Sequence, residues 1–175
     1  HSGLASDGEV EDYRVQIVSN QFSIDNPSVV ESNAGTTNLV YTVSRTSNAA
    51  ASSVDYAITG GTATSGNDYQ PLAAGTINFT AGGPLNQTIT VAVNGDLVVE
   101  NNETVIITLS NPVGGGISAS NPGTGTITND DAATLTLSGG IAQNETNAGT
   151  VNYMFVATLS AAVQDGFAVP YTTNN

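Results

Sequence analysis

Apolar and polar positions alternate with a period of two along most of the chain. In Asn38-Leu39-Val40-Tyr41-Thr42-Val43-Ser44, the residues Leu39, Tyr41 and Val43 share one face. Val54, Tyr56 and Ile58 do the same in 53–59, Ile89, Val91 and Val93 in 87–93, and Val105, Ile107 and Leu109 in 103–110. Successive side chains of an extended chain point to opposite faces, so each run predicts a strand with one buried face. Shorter runs around Phe22–Ile24, 75–80 and 124–129 complete a set of about seven. Clusters of Gly, Asn, Pro and Ser between them supply turns. No window carries an apolar stripe of helical period. The pattern predicts an all-β chain built as an antiparallel β-sandwich of about seven strands. Tyr41, Tyr56, Tyr153 and Phe155 alternate with polar residues and read as core.

The chain also repeats itself. Val30-Glu31-Ser32-Asn33-Ala34-Gly35-Thr36 returns as Asn144-Glu145-Thr146-Asn147-Ala148-Gly149-Thr150, and Val54-Asp55-Tyr56 is echoed by Val169-Pro170-Tyr171. A shift of roughly 114 residues is the size of one sandwich domain. Three units are expected: 1–18, the last strand of a preceding domain; 19–131, a complete sandwich; and 132–175, a second, tandem copy that stops after its third strand. Missing sheet partners make that copy a candidate for disorder or aggregation.

Composition narrows the chemistry. The 175 residues include 15 acids, two Arg, no Lys, no Cys, no Trp and one His at the N-terminus, for a net charge of -13. Disulfides, thiolate nucleophiles and Cys/His zinc sites are excluded, as are Schiff bases and Ser-His-Asp chemistry. Such a charge argues against nucleic acid and anionic lipid as partners. No stretch is long and apolar enough to insert in a membrane. An enzyme is not expected.

The acids are not spread evenly. If successive strands run up and down, alternate loops share one end of the sandwich. One end receives Glu31, Asp68, Asp96, Glu100, Glu103, Asp130 and Asp131. The opposite loops, 45–48, 81–85 and 111–123, hold no Asp or Glu. Carboxylates gathered this way repel one another unless a cation neutralises them. Calcium suits such a site, with six to eight oxygen ligands at about 2.3–2.6 Å drawn from several loops, and magnesium suits it less. A solvated acidic rim without an ordered ion is the alternative.

Several motifs, in order, resemble the Calx-beta domain. They are Phe22-Ser23-Ile24, Val30-Glu31 with Gly35, Val54-x-Tyr56, and Gly61 through Asp68-Tyr69. Gly75-Thr76-Ile77-Asn78-Phe79, Gly95-Asp96 through Glu100-x-x-Glu103, Leu109-Ser110-Asn111-Pro112 and Gly125 through Asp130-Asp131 follow. The resemblance implies an immunoglobulin-like sandwich with Ca2+ at one end. By position, the implied ligands are Glu31, Asp68, Asp96, Glu100, Glu103, Asp130 and Asp131, with Val98 contributing its backbone carbonyl. For Asp68, capping of a turn is the alternative role.

The exchanger-type site of that family has acids where this chain has Gly60, Gly95 and Asn129. Fewer carboxylates imply one or two ions, at affinities of about 10⁻⁴ to 10⁻³ M. In the second copy only Glu145 of the site is present, so no complete site is expected there. The opening Asp7-Gly8-Glu9-Val10-Glu11-Asp12-Tyr13 resembles the end of the bacterial GEVED domain.

Together these readings predict a calcium-binding module of a large exported bacterial surface protein. It would be extracellular and part of an adhesive or structural stalk, with calcium stiffening the junction to neighbouring domains of the same chain. Two alternatives stand beside it. The acid-free end, with its long loop 111–123, could recognise a host or cell-surface protein or a glycan. The chain could also be an accessory domain of a secreted hydrolase.

Overall fold

The computed structural model describes residues 19–139 and 142–173. The strand expected within 1–18, and the GEVED-like motif, lie outside the described residues. No helix occurs among the described residues.

Eleven strands form: β1 (Gln21–Ile24), β2 (Ser28–Val30), β3 (Gly35–Arg45), β4 (Ser52–Gly61), β5 (Gly75–Phe79), β6 (Asn86–Gly95), β7 (Glu103–Val113), β8 (Gly116–Ile117), β9 (Gly123–Thr128), β10 (Leu135–Leu137) and β11 (Ala157–Leu159). The first nine make two sheets, ordered β6-β3-β1-β8 and β2-β9-β7-β4-β5. All seven strands expected from the alternation are present, and the architecture is an immunoglobulin-like sandwich.

The core follows the period-2 pattern. Leu39, Tyr41 and Val43 of β3 and Ile89, Val91 and Val93 of β6 are buried. They face Val54, Ile77, Phe79, Val105, Ile107, Leu109 and Ile127 of the other sheet in one cluster. Each such side chain withdrawn from water contributes roughly 1.5–3 kcal/mol. Gly125 of β9 is part of this packing. A Cβ there would lie 2.2 Å from Tyr41 Oη, so only glycine leaves room for the phenol. Tyr41 Oη in turn donates to the Val105 carbonyl at 2.6 Å, tying the two sheets.

Two short strands depart from the all-antiparallel expectation. The chain starts in one sheet as β1, crosses at Asp25-Asn26-Pro27, and joins the other sheet as β2. There β2 pairs parallel with β9, Val30 opposite Thr128. Similarly β8 pairs parallel with β1. The crossing is pinned by side chains: the Thr42 N–H donates to Asp25 Oδ1 (2.7 Å) and the Thr124 N–H to Asn26 Oδ1 (2.7 Å).

Arg45 organises the acid-free end. Only 2% exposed, it donates to the carbonyls of Ala50, Thr80, Gly83 and Pro84 and to Ser52 Oγ. Its guanidinium also stands 4.9 Å from the Phe79 ring centroid. One buried fork thus joins two loops, and it is the donor to the Ala50 and Pro84 carbonyls.

Beyond β9, β10 and β11 form a separate antiparallel pair, Leu135 opposite Leu159. The third strand expected near Val169-Pro170-Tyr171 does not form. A proline lacks the ladder N–H, and no described strand pairs with the segment. Tyr153 and Phe155, expected in a core, are each about half exposed. An isolated pair of strands has no opposing sheet to bury them against.

Candidate metal centre

The acidic end is assembled by strand pairing. Parallel pairing of β2 with β9 carries Glu31, the residue after Val30, to the exit of β9, and its N–H donates to the Thr128 carbonyl (3.1 Å). Asp130 and Asp131 follow directly. The Ser32 N–H donates to Asp130 Oδ1 (3.2 Å), from a backbone turned to a φ of 85°, and Asn33 Nδ2 donates to Asp131 Oδ1 (3.1 Å). Glu31, Asp130 and Asp131 thereby bring one carboxylate oxygen each within 4.8 Å of the others.

A second group forms beside it. The β4–β5 loop is stitched to the end of β6: the Gln70 N–H donates to the Ala92 carbonyl (2.8 Å) and the Asn94 N–H to the Asp68 carbonyl (2.9 Å). Asn94 Nδ2 also donates to the carbonyls of Gly66 and Asn67. This holds Asp68 against the β6–β7 loop, where Asp68, Glu100 and Glu103 again place oxygens within 4.8 Å of one another. Asp68 caps a turn and also stands in the acidic group. Its Oδ2 accepts the Thr64 N–H, closing the turn, while the carboxylate still belongs to the acidic group.

Asp96 belongs to neither triple, but its charge reaches both by helping to raise the pKa of Glu31, Glu100 and Asp131. Its Oδ1 accepts the Val98 N–H (2.7 Å), which shapes the loop. Among the described residues, no hydrogen bond uses the Val98 carbonyl.

The electrostatics are those of crowded carboxylates. Burial, then repulsion by Glu100, Asp96, Asp131 and Asp130, pushes Glu31 up to about 7. Burial, with Asp68 and Glu100 adding to it, also pushes Glu103 up to about 7. Glu100 and Asp131 are raised for the same reasons, burial first. Moreover, Glu31 Oε1, Glu103 Oε2 and Asp131 Oδ2 are buried with no hydrogen-bond partner. Buried polar atoms are almost always satisfied, and an ionised oxygen left alone is costly. Arg45 is committed to the other end. An all-oxygen donor set with orphaned buried oxygens fits a hard divalent cation, and calcium better than magnesium because the ligands come from several loops.

The positions that lack an acid divide into two kinds. A Cβ at Gly60 would meet only Ile106 Cδ1, at 3.9 Å. A Cβ at Gly95 would lie 2.0 Å from the Ser32 carbonyl oxygen, so this backbone excludes any side chain there. Asn129 uses its amide locally, donating to the Asp131 carbonyl (3.1 Å) and accepting the Asp131 N–H (3.3 Å).

One participant had no signal in the sequence. Gln164, just past β11, donates its N–H to the Val99 carbonyl (2.9 Å), while the Val99 N–H donates to the Ala162 carbonyl (2.9 Å). Its side chain faces Glu103 and opposes the upward shift of that carboxyl.

Comparison with known proteins agrees with this geometry. The Calx-beta domain profile matches residues 15–137. The apo form of the Calx CBD1 domain superposes with a TM-score of 0.57 and 26% identity, over 64% of this chain and 98% of that one. CBD12 of CALX1.2 and the calcium binding domain CBD12 of CALX1.1 each match at 25% identity and a TM-score of 0.56. Both cover 66% of this chain, which spans 48% and 49% of their respective lengths. No curated protein sequence matches. With its sandwich, its acidic end and more than half its length matched, the chain belongs to the Calx-beta domain family.

Proposed function

We propose that this chain is a calcium-binding module of an exported surface protein, in which bound calcium stiffens the junction between successive units. The observation that carries the reading is the Glu31–Asp130–Asp131 group, with two of its oxygens buried and unpartnered where β9 leaves the sandwich. Calcium there would bond to the segment that leads into β10. CBD12 of CALX1.1 is named as a calcium binding domain, which supports the choice of ion. Pairing of β10 with β11 parallels that of β1 with β3 at the repeat spacing, which supports reading residues 132–175 as part of a second copy. A stalk of such units on a bacterial surface is the setting we infer.

The test is calorimetric titration with calcium chloride, alongside melting with and without chelator. Heat of binding and a higher melting temperature in calcium are expected. No heat at millimolar calcium, with unchanged melting, overturns the reading. Small-angle scattering should show a narrower distribution of dimensions with calcium than with chelator if the junction stiffens.

A further inference from the structure

We propose that Gln164 completes the Asp68–Glu100–Glu103 group as a neutral oxygen ligand for the divalent cation, so that the metal centre draws on the segment beyond β11 as well as on the sandwich. This rests on the calcium reading above and adds a ligand to it.

The backbone comes first. The paired hydrogen bonds between Val99 and the Ala162–Gln164 segment form a parallel bridge, the one place where that segment joins the β6–β7 loop by a ladder. Val99 sits between Val98 and Glu100, so the bridge fixes Gln164 beside the part of the loop that presents the acids. The half-buried Gln164 lines a cavity of about 400 Å³ together with Thr62, Thr64, Asn102, Glu103 and Asp165.

The chemistry of the cavity asks for a cation. Glu103 is 9% exposed, lines the cavity, and keeps Oε2 buried without a partner. Its neighbours Asp68 and Glu100 bring two more carboxylates, and one oxygen of Asp68 is already used by the Thr64 N–H. Calcium needs more oxygens than this group has left free, and it accepts amide carbonyls readily. An amide suits both states. Its NH₂ can donate to a carboxylate, and a half-turn about the last torsion presents Oε1 to an ion instead. A neutral ligand also adds an oxygen without adding to the repulsion among the acids. Because the ligand arrives on a docked segment, occupancy and docking favour each other reciprocally.

The experiment is titration of the full chain with calcium chloride for the unchanged protein, Gln164→Ala and Gln164→Glu. Gln164→Ala should weaken one binding step by about tenfold. Gln164→Glu restores an oxygen and adds charge, so it should bind at least as tightly as the unchanged protein at pH 8. If the unchanged protein binds calcium and both variants titrate like it, the proposal is overturned while the calcium reading stands. If the unchanged protein gives no calcium signal, both fall.

Discussion

Glu31 and Asp131 place carboxylate oxygens within 4.8 Å of each other, and each buries an oxygen that no donor reaches. They meet because β2 runs parallel to β9, which delivers the start and the end of the sandwich to the same place. Like charges held this way oppose folding until a proton or a cation removes the conflict.

The first consequence is an inverted pH dependence. Glu31 and Glu103 are raised from 4.5 to about 7, so between those values the folded protein holds protons that the unfolded chain has released. Stability from these groups is therefore present below about pH 4.5 and lost as pH rises through 7. In chelator, the melting temperature should be higher at pH 5 than at pH 8. Calcium should narrow or reverse that difference, since it binds the deprotonated form. Melting curves across pH with calcium and with chelator check this, and a flat chelator profile contradicts it.

Neutralising single acids should separate stability from binding. Glu31→Gln removes the repulsion and keeps the shape, so the protein in chelator at pH 8 should melt higher than the unchanged chain. Its calcium affinity should fall by about tenfold or more, since ligand charge count sets affinity. Asp130→Asn should also weaken binding. Paired titration and melting of each variant is the measurement, and unchanged affinity in both would remove this group from the centre.

Gly60 and Gly95 are expected to differ sharply. Gly95→Ala drives a Cβ into the Ser32 carbonyl and should cost about 1–3 kcal/mol or more. Gly60→Ala meets only a methyl at ordinary contact distance and should stay within about 0.5 kcal/mol of the unchanged chain. Urea unfolding in chelator distinguishes them, and equal costs would contradict the backbone path drawn through Ser32.

Arg45 tests the independence of the two ends. Arg45→Lys retains charge but not the fork that reaches five acceptors, leaving the Ala50 and Pro84 carbonyls without a donor. A loss of about 2–3 kcal/mol is expected. Calcium affinity of the remaining folded protein should not change, because the acids lie at the opposite end. Denaturant unfolding gives the first quantity and titration at low temperature the second.

Alternation and chain order alone account for the sandwich and for the polarity of its ends. Period-2 alternation records which face of each strand is buried, so Leu39, Tyr41 and Val43 could be placed before any coordinates. Chain order then sends alternate loops to one end, and the acids of those loops with them. Neither step depends on how the strands pair in detail. The rest did. β2 and β8 are too short to show a period and gain their pairing from residues far along the chain, so their parallel registers were not legible. The division of the acids into two groups follows from those registers and from remote hydrogen bonds, Ser32 to Asp130 and Asn94 to the Gly66–Asn67 turn. Tyr153 and Phe155 carry the alternation of a core strand, yet burial requires an opposing sheet, which is a property of the fold and not of the strand. Gln164 is an ordinary polar residue in the sequence. Only the bridge at Val99 brings it to Glu103, because a ligand's role is set by the atoms it reaches rather than by its neighbours in the chain.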